Sequence, residues 1–203
     1  MADLRDAPGA RRTVSSRTIH QGMVWDVVGE DVDLGEPGTV HREFVRHPGA
    51  VSVIVLDDED RVLLLSQYRH PVRSVMWEPP AGLLDVEGED PWTAARRELL
   101  EEADLEAGSW WVLADYVSSP GGSDETLRVF LARDVREVPE GRRHHRVAEE
   151  SQIVCRWVPL DEAVTAVLAG QVRNPSAVVG VLAAATGRSR DWRDLRAPDV
   201  PLP

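Results

Sequence analysis

Gly82-Leu83-Leu84-Asp85-Val86-Glu87-Gly88-Glu89-Asp90-Pro91-Trp92-Thr93-Ala94-Ala95-Arg96-Arg97-Glu98-Leu99-Leu100-Glu101-Glu102-Ala103-Asp104-Leu105 reads as a loop that runs into a helix. Asp90 supplies a side-chain acceptor at the N-cap, and Pro91 takes the first helical position, where a missing N–H costs nothing. At 3.6 residues per turn, Trp92, Ala95, Leu99 and Ala103 share one face, while Glu98, Glu101 and Glu102 gather on another. Like charges spaced at i, i+3 and i+4 destabilise a helix by a few tenths of a kcal/mol per pair, so the acidic face needs a compensating partner. Oxygen-only ligands suit a hard divalent cation such as Mg²⁺ or Mn²⁺. Arg97, four residues before Glu101, is placed to pair with it and aim the carboxylates. A bare Arg-Glu-x-x-Glu-Glu string also fits a solvated acidic face, and the flanks decide between the two.

Upstream, Pro79-Pro80-Ala81-Gly82 forms a rigid turn, and Glu89 falls eight residues before Arg97. With these flanks the sequence resembles the Nudix hydrolases, whose signature places a Gly, a Glu, then Arg-Glu-x-x-Glu-Glu-x-Gly and an aliphatic residue in a loop–helix–loop. Gly82, Glu89, Arg97, Glu98, Leu99, Glu101, Glu102 and Leu105 carry the match. Two positions depart from it. One extra residue lies between Gly82 and Glu89, read as a longer loop. The glycine after the helix is Asp104, one of the few residue types that tolerate a left-handed backbone, at about 1 kcal/mol relative to glycine.

The resemblance reaches beyond this box. Tyr68-Arg69 near a strand end, Trp77-Glu78-Pro79-Pro80-Ala81-Gly82 leading into the box, and the loop Ser119-Pro120-Gly121-Gly122-Ser123-Asp124-Glu125 look like the ADP-ribose pyrophosphatase branch. Pro120, fifteen residues past Leu105, stands where that branch carries a substrate-marking proline. The resemblance covers roughly residues 13 to 187 and implies an α+β, α/β/α sandwich of the Nudix type, with a mixed central sheet.

At 203 residues the chain fits one good-sized domain, or one domain with a small appendage. Its net charge of −12 argues against nucleic acid or an anionic membrane as partner, since both require a basic footprint. An acidic protein that handles phosphates must bring positive charge locally, through a metal and a few arginines, and arginine is the only basic residue besides histidine. One cysteine, Cys155, excludes an internal disulfide, fits a reducing compartment, and is expected in the core. No apolar run approaches membrane-spanning length and the N-terminus lacks an apolar signal core, so a cytoplasmic location is expected.

Residues 13–19, 23–33 and 39–46 read as short strands, too few to bury a core alone. Residues 1–47 are therefore expected to form an N-terminal sheet used in a homodimer, followed by the hydrolase domain over 48–190 and a tail over 191–203. Residues 50–56 and 61–67 read as a hairpin across Asp57-Asp58-Glu59-Asp60, feeding the central sheet. Strands follow at 110–118, 127–132 and 153–158, and helices at 161–169 and from Asn174-Pro175 through Ala185, stopped at Gly187. The polar stretch 135–151 is long for a loop and reads as a lid. Its adjacent His144 and His145, without further ligand spacing, are left out of any metal site.

The resemblance implies hydrolysis of the diphosphate of ADP-ribose to AMP and ribose 5-phosphate. Glu98, Glu101 and Glu102 with the Ala81 carbonyl would hold the metal, and a carboxylate from the loop after the box would be the general base. Glu150 is the best match, with Glu149 next; Glu101 or Glu125 follow if both prove dispensable. Arg69 is a candidate for the substrate diphosphate and Glu78 for a ribose or adenine group. Trp25 and Trp77 are candidates for adenine stacking. Pro120, Gly121, Ser123, Asp124 and Glu125 are expected to line the substrate pocket. Another nucleoside diphosphate sugar remains open as substrate, as does a non-catalytic nucleotide-sensing module, which loss of the box glutamates would mark.

Overall fold

A computed structural model describes residues 4–7, 9–144 and 153–203, and the chain divides into two compact units. The first unit comprises Met1–Pro48 and Ser119–Glu125. Three strands, β1 (Arg12–Gln21), β2 (Asp26–Asp33) and β3 (Thr39–Arg46), form an antiparallel sheet in that order. Gly35 and Gly38 turn the chain between β2 and β3 with φ of 81° and 88°, a region open to glycine at little cost. The second strand begins three residues later than the alternation suggests, because residues 22–25 form a turn. The Gly22 N–H donates to Asp26 Oδ1 at 3.3 Å, and a Cβ on Gly22 would fall 2.2 Å from the Trp25 carbonyl oxygen. The Ser119–Glu125 segment is tied to β3: the Val45 N–H donates to the Gly122 carbonyl at 2.9 Å, and the Asp124 N–H to the Val45 carbonyl at 3.1 Å.

The second unit, Gly49–Ser118 with Thr126–Pro203, contains β4 (Ala50–Val55), β5 (Arg61–Arg69), β6 (Ser74–Glu78), β7 (Ala81–Leu83), α1 (Pro91–Ala103), β8 (Leu105–Val117), β9 (Thr126–Glu137), β10 (Val154–Pro159), α2 (Leu160–Leu168) and α3 (Pro175–Ser189). One sheet has the order β7-β4-β9-β8 and is mixed, since β4 and β9 run parallel while the other pairs are antiparallel. Every residue of β4 is buried, and its two sides serve two cores. Val51, Val53 and Val55 pack with Phe130 and with Ala94, Ala95 and Leu99 of α1. Ile54, with Val129 and Leu131, packs against Ala163 and Val167 of α2 and Ala177, Val181 and Ala184 of α3. Helices thus cover both faces, and a strand buried on both faces reads as a continuous apolar run.

Several expectations need correction. The turn between β4 and β5 closes as expected, with the Asp57 N–H on the Arg61 carbonyl at 3.1 Å and Leu56 bridged to Val62. Beyond it the strands part, and β5 joins a second antiparallel sheet, β10-β5-β6. Both hydrogen-bonding edges of β4 are taken by β7 and β9, so β5 has none to join. Cys155 is exposed rather than in the core, because β10 is an edge strand that buries only Val158 fully. Gly187 does not stop α3, which runs on to Ser189; a Cβ at 187 would lie 2.9 Å from the Trp192 ring, so this glycine makes room for an indole. Of the expected lid, residues 135–137 complete β9, and residues 145–152, which include His145, Glu149 and Glu150, lie outside the described residues.

The C-terminal segment folds back on β8. Arg196 exchanges backbone hydrogen bonds with Val112, at 2.9 and 3.4 Å. Arg128, 1% exposed, pairs with Asp115 and donates to the carbonyls of Val200 and Pro201. No described helix is long and apolar enough to cross a membrane.

Candidate active site

Local rules place α1. Asp90 Oδ1 accepts from the Trp92 and Thr93 N–H groups, both at 3.0 Å, and Pro91 opens the helix. At the other end Asp104 adopts φ 55°, ψ 35°, a left-handed cap that aspartate tolerates, and its N–H closes on the Leu100 carbonyl at 3.0 Å. On the face that the spacing predicts, Ala95 and Leu99 are fully buried, with Ala94 beside them and Trp92 and Ala103 at the margin of the same core. The helix is thereby fixed with its glutamate face toward β7.

That approach depends on Gly82. A Cβ there would overlap the Glu98 carboxylate, 2.0 Å from Oε1, so only glycine lets this side chain lie on the strand. One residue earlier, the Ala81 N–H donates to Glu102 Oε2 at 2.9 Å. The Val53 N–H holds the Pro80 carbonyl at 2.8 Å and anchors the turn to the central sheet. The two prolines and the glycine of this turn thus present the Ala81 backbone to the glutamate helix.

Arg97 does more than the expected pairing with Glu101. Its Nε and Nη2 form a two-pronged bond with Glu89 at 3.0 and 2.9 Å, and Nη1 reaches Glu101 at 3.2 Å and also Glu98. Glu89 therefore clamps the arginine from the loop while the arginine clamps two helix carboxylates. The guanidinium, hydrogen-bonded to Glu89 and facing Glu98, is held above its already high pKa, and the same bond holds the Glu89 carboxyl below the usual range.

Glu102 is 8% exposed. Burial pushes its carboxyl up to about 8, against the Ala81 hydrogen bond; Glu98 and Glu78 push it further and Arg69 opposes them. Among the described residues, no group of three or more His, Cys, Asp or Glu side chains is arranged as a metal cage. The reason is visible in the bonds, since Arg97 draws Glu98 and Glu101 while Glu102 turns to the Ala81 N–H. The donor set nonetheless fits a hard divalent cation. It is oxygen-only, and the carboxylate repulsion felt at buried Glu102 is what such a cation would relieve.

Beside this face lies a second pair. Glu78, 3% exposed, accepts from Arg69 Nε at 2.9 Å and Nη2 at 2.7 Å. Sequence reasoning missed its third donor, Asn174 Nδ2, at 3.1 Å. The Asn-Pro pair marked only a helix start, and nothing local connects residue 174 to residue 78.

Arg69, Glu78, Ala81, Arg97, Glu98, Glu101 and Glu102 thus come together in the second unit. Trp77 lies in the second unit, partly buried against its core, and the remaining expected substrate residues belong to the first unit. There Trp25 sits half exposed in its turn, and Pro120 and Gly121 are exposed. Asp124 Oδ1 accepts the His47 N–H at 2.8 Å, Ser123 Oγ accepts the Glu125 N–H at 3.1 Å, and Glu125 faces His47 at 3.6 Å.

The NUDIX domain family matches residues 46–178. An ADP-ribose pyrophosphatase of Mycobacterium tuberculosis is 44% identical over 171 residues, covering 84% of this chain and 81% of that protein. One from Bacillus subtilis is 34% identical, covering 79% and 85%. Among solved structures, one titled as an ADP compounds hydrolase superposes with a TM-score of 0.68 at 18% identity, covering 92% and 98%, which shows a shared fold. A glutamate helix held against Gly82, within a domain match spanning most of the chain, leads to one conclusion: this protein belongs to the Nudix hydrolase family.

Proposed function

We propose that the chain hydrolyses the diphosphate of ADP-ribose to AMP and ribose 5-phosphate, with Mg²⁺ or Mn²⁺ as cofactor. The observation that carries this is the close seating of Glu98 on Gly82 with Glu102 on the Ala81 N–H, which gathers oxygen donors beside Arg69. The names and coverage of the relatives from Mycobacterium tuberculosis and Bacillus subtilis support the choice of substrate.

Glu98, Glu101, Glu102 and the Ala81 carbonyl are the residues that would hold the metal. Bound there, a divalent ion would offset the charge of the two phosphates and lower the pKa of an attacking water. The protein's own groups do the rest. Arg97 fixes Glu98 and Glu101, and Arg69 meets phosphate oxygens from its pairing with Glu78. Trp25, Pro120, Gly121, Ser123, Asp124 and Glu125 are assigned to nucleotide recognition. Glu150, with Glu149 as runner-up, takes the proton from the water; as the water oxygen bonds to phosphorus, the bridging P–O bond breaks and the two monophosphates leave.

The working protein is proposed to be a cytoplasmic homodimer joined through its N-terminal sheet. All of β1 is exposed, and Val14, Ile19, Met23, Val24 and Trp25 add apolar surface on that unit.

Chromatography of the products after incubation with ADP-ribose, GDP-mannose, UDP-glucose, NADH and diadenosine polyphosphates tests this reading. ADP-ribose is expected to be the preferred substrate, with turnover abolished by EDTA and restored by Mg²⁺ or Mn²⁺. EDTA-insensitive turnover, or preference for an unrelated phosphate monoester, would overturn it.

A further inference from the structure

Asn174 makes two bonds of opposite sense. Its Oδ1 accepts the Ala177 N–H at 3.0 Å and caps α3, while its Nδ2 donates to Glu78 Oε2 at 3.1 Å. Only a carboxamide of this length meets both demands. Aspartate would cap equally well but would set a carboxylate against a carboxylate that is 3% exposed. Serine would cap with its single oxygen and lack the second arm.

The helix that follows Asn174 is tied to the central sheet. Ser176, two residues into α3, shares a 2.9 Å hydrogen bond with the Tyr116 hydroxyl of β8. Further along, Gly180 lets the helix close on β4, where a Cβ would fall 2.6 Å from Ile54 Cδ1. The start of α3 is thus held by the central sheet, and the Asn174 amide is a fixed point in front of Glu78.

Glu78 needs such a point. It is 3% exposed, and its charge is compensated by the donors Arg69 and Asn174. Arg69 bends back from the end of β5 to reach Glu78, while its side chain stays 42% exposed. The direction in which that guanidinium is presented depends on where Glu78 points.

We infer that Asn174 is a positioning residue for substrate binding, which acts through Glu78 to aim Arg69 at the diphosphate. This rests on the reading of Arg69 as a diphosphate-binding side chain. The effect belongs to affinity rather than to the chemical step, because neither Asn174 nor Glu78 is assigned to the reacting atoms.

The test is a double-mutant cycle on the KM for ADP-ribose, with kcat and the thermal midpoint measured for each protein. Asn174→Ser keeps the cap and loses the donor. It is expected to raise KM about tenfold, equal to about 1.4 kcal/mol, with kcat within about twofold of the parent and the melt nearly unchanged. In an Arg69→Ala background the same substitution should change KM no further. Asn174→Asp, a second capping variant, is expected to raise KM more than serine does, with partial relief from Glu78→Gln. A folded Asn174→Ser or Asn174→Asp protein with parental KM overturns the inference, as does a KM effect that adds in full to that of Arg69→Ala. Should Arg69→Ala itself leave KM unchanged, the diphosphate assignment beneath the inference falls, and the inference with it.

Discussion

Gly82 and Glu102 show how much one residue decides here. Adding a methyl group at 82 places it inside the Glu98 carboxylate, so Gly82→Ala must push that side chain aside. A displacement of about 1 Å at such a group costs on the order of a hundredfold in rate, and that loss of kcat is expected with an unchanged circular dichroism spectrum. Glu102 predicts a pH dependence in the metal-free protein. Its folded-state pKa is raised to about 8, mainly by burial, so its contribution to stability is full below the ordinary carboxylate range and is lost as pH rises through about 8. Melting curves in EDTA are expected to show the parent losing midpoint across that window while Glu102→Gln stays flatter; parallel curves would contradict this. Gly82, Arg97 and the three glutamates were legible in the sequence because their spacing is local. Asn174 was not, since its partner is 96 residues away.

The same division between local and distant information holds for whole elements. The limits of α1 follow from Asp90, Pro91 and Asp104, all readable in place. Asp90→Ala removes an acceptor for two backbone N–H groups and is expected to cost about 1 kcal/mol, a fall of about 2–4 °C in the thermal midpoint for a chain of this size. The apolar run of β4 was also legible, and it led to an expected hairpin within one sheet. Two sheets form instead, because β4 pairs with β7 and β9, partners that no local pattern reveals. Cys155 was misplaced for a related reason: an apolar run says nothing about which strand ends at a sheet edge.

At the scale of the molecule, the C-terminal segment does work that its polar, proline-rich sequence conceals. Arg128 is buried with Asp115, whose carboxyl burial pushes up but whose bonds to Arg128 and Arg196 hold below the usual range. Removing residues 196–203 leaves Arg128 without two carbonyl acceptors, and unpaired buried donors cost about 1–3 kcal/mol. A lower midpoint in thermal melts is expected, and an unchanged one would contradict the role assigned to this strap. Sedimentation of the full chain is expected to give a homodimer, and removal of residues 1–47 a monomer with weakened ADP-ribose affinity. The carboxylate face of α1 is the centre of the proposed chemistry. Its most direct measurement is the kcat of the Glu98→Gln protein on ADP-ribose at saturating Mg²⁺, with its thermal midpoint taken alongside. Loss of the Glu98 charge is expected to lower kcat by about two orders of magnitude or more while the protein stays folded, because glutamine keeps the volume and an oxygen that accepts from Arg97. A folded Glu98→Gln protein that turns over ADP-ribose at the parental rate would contradict the account.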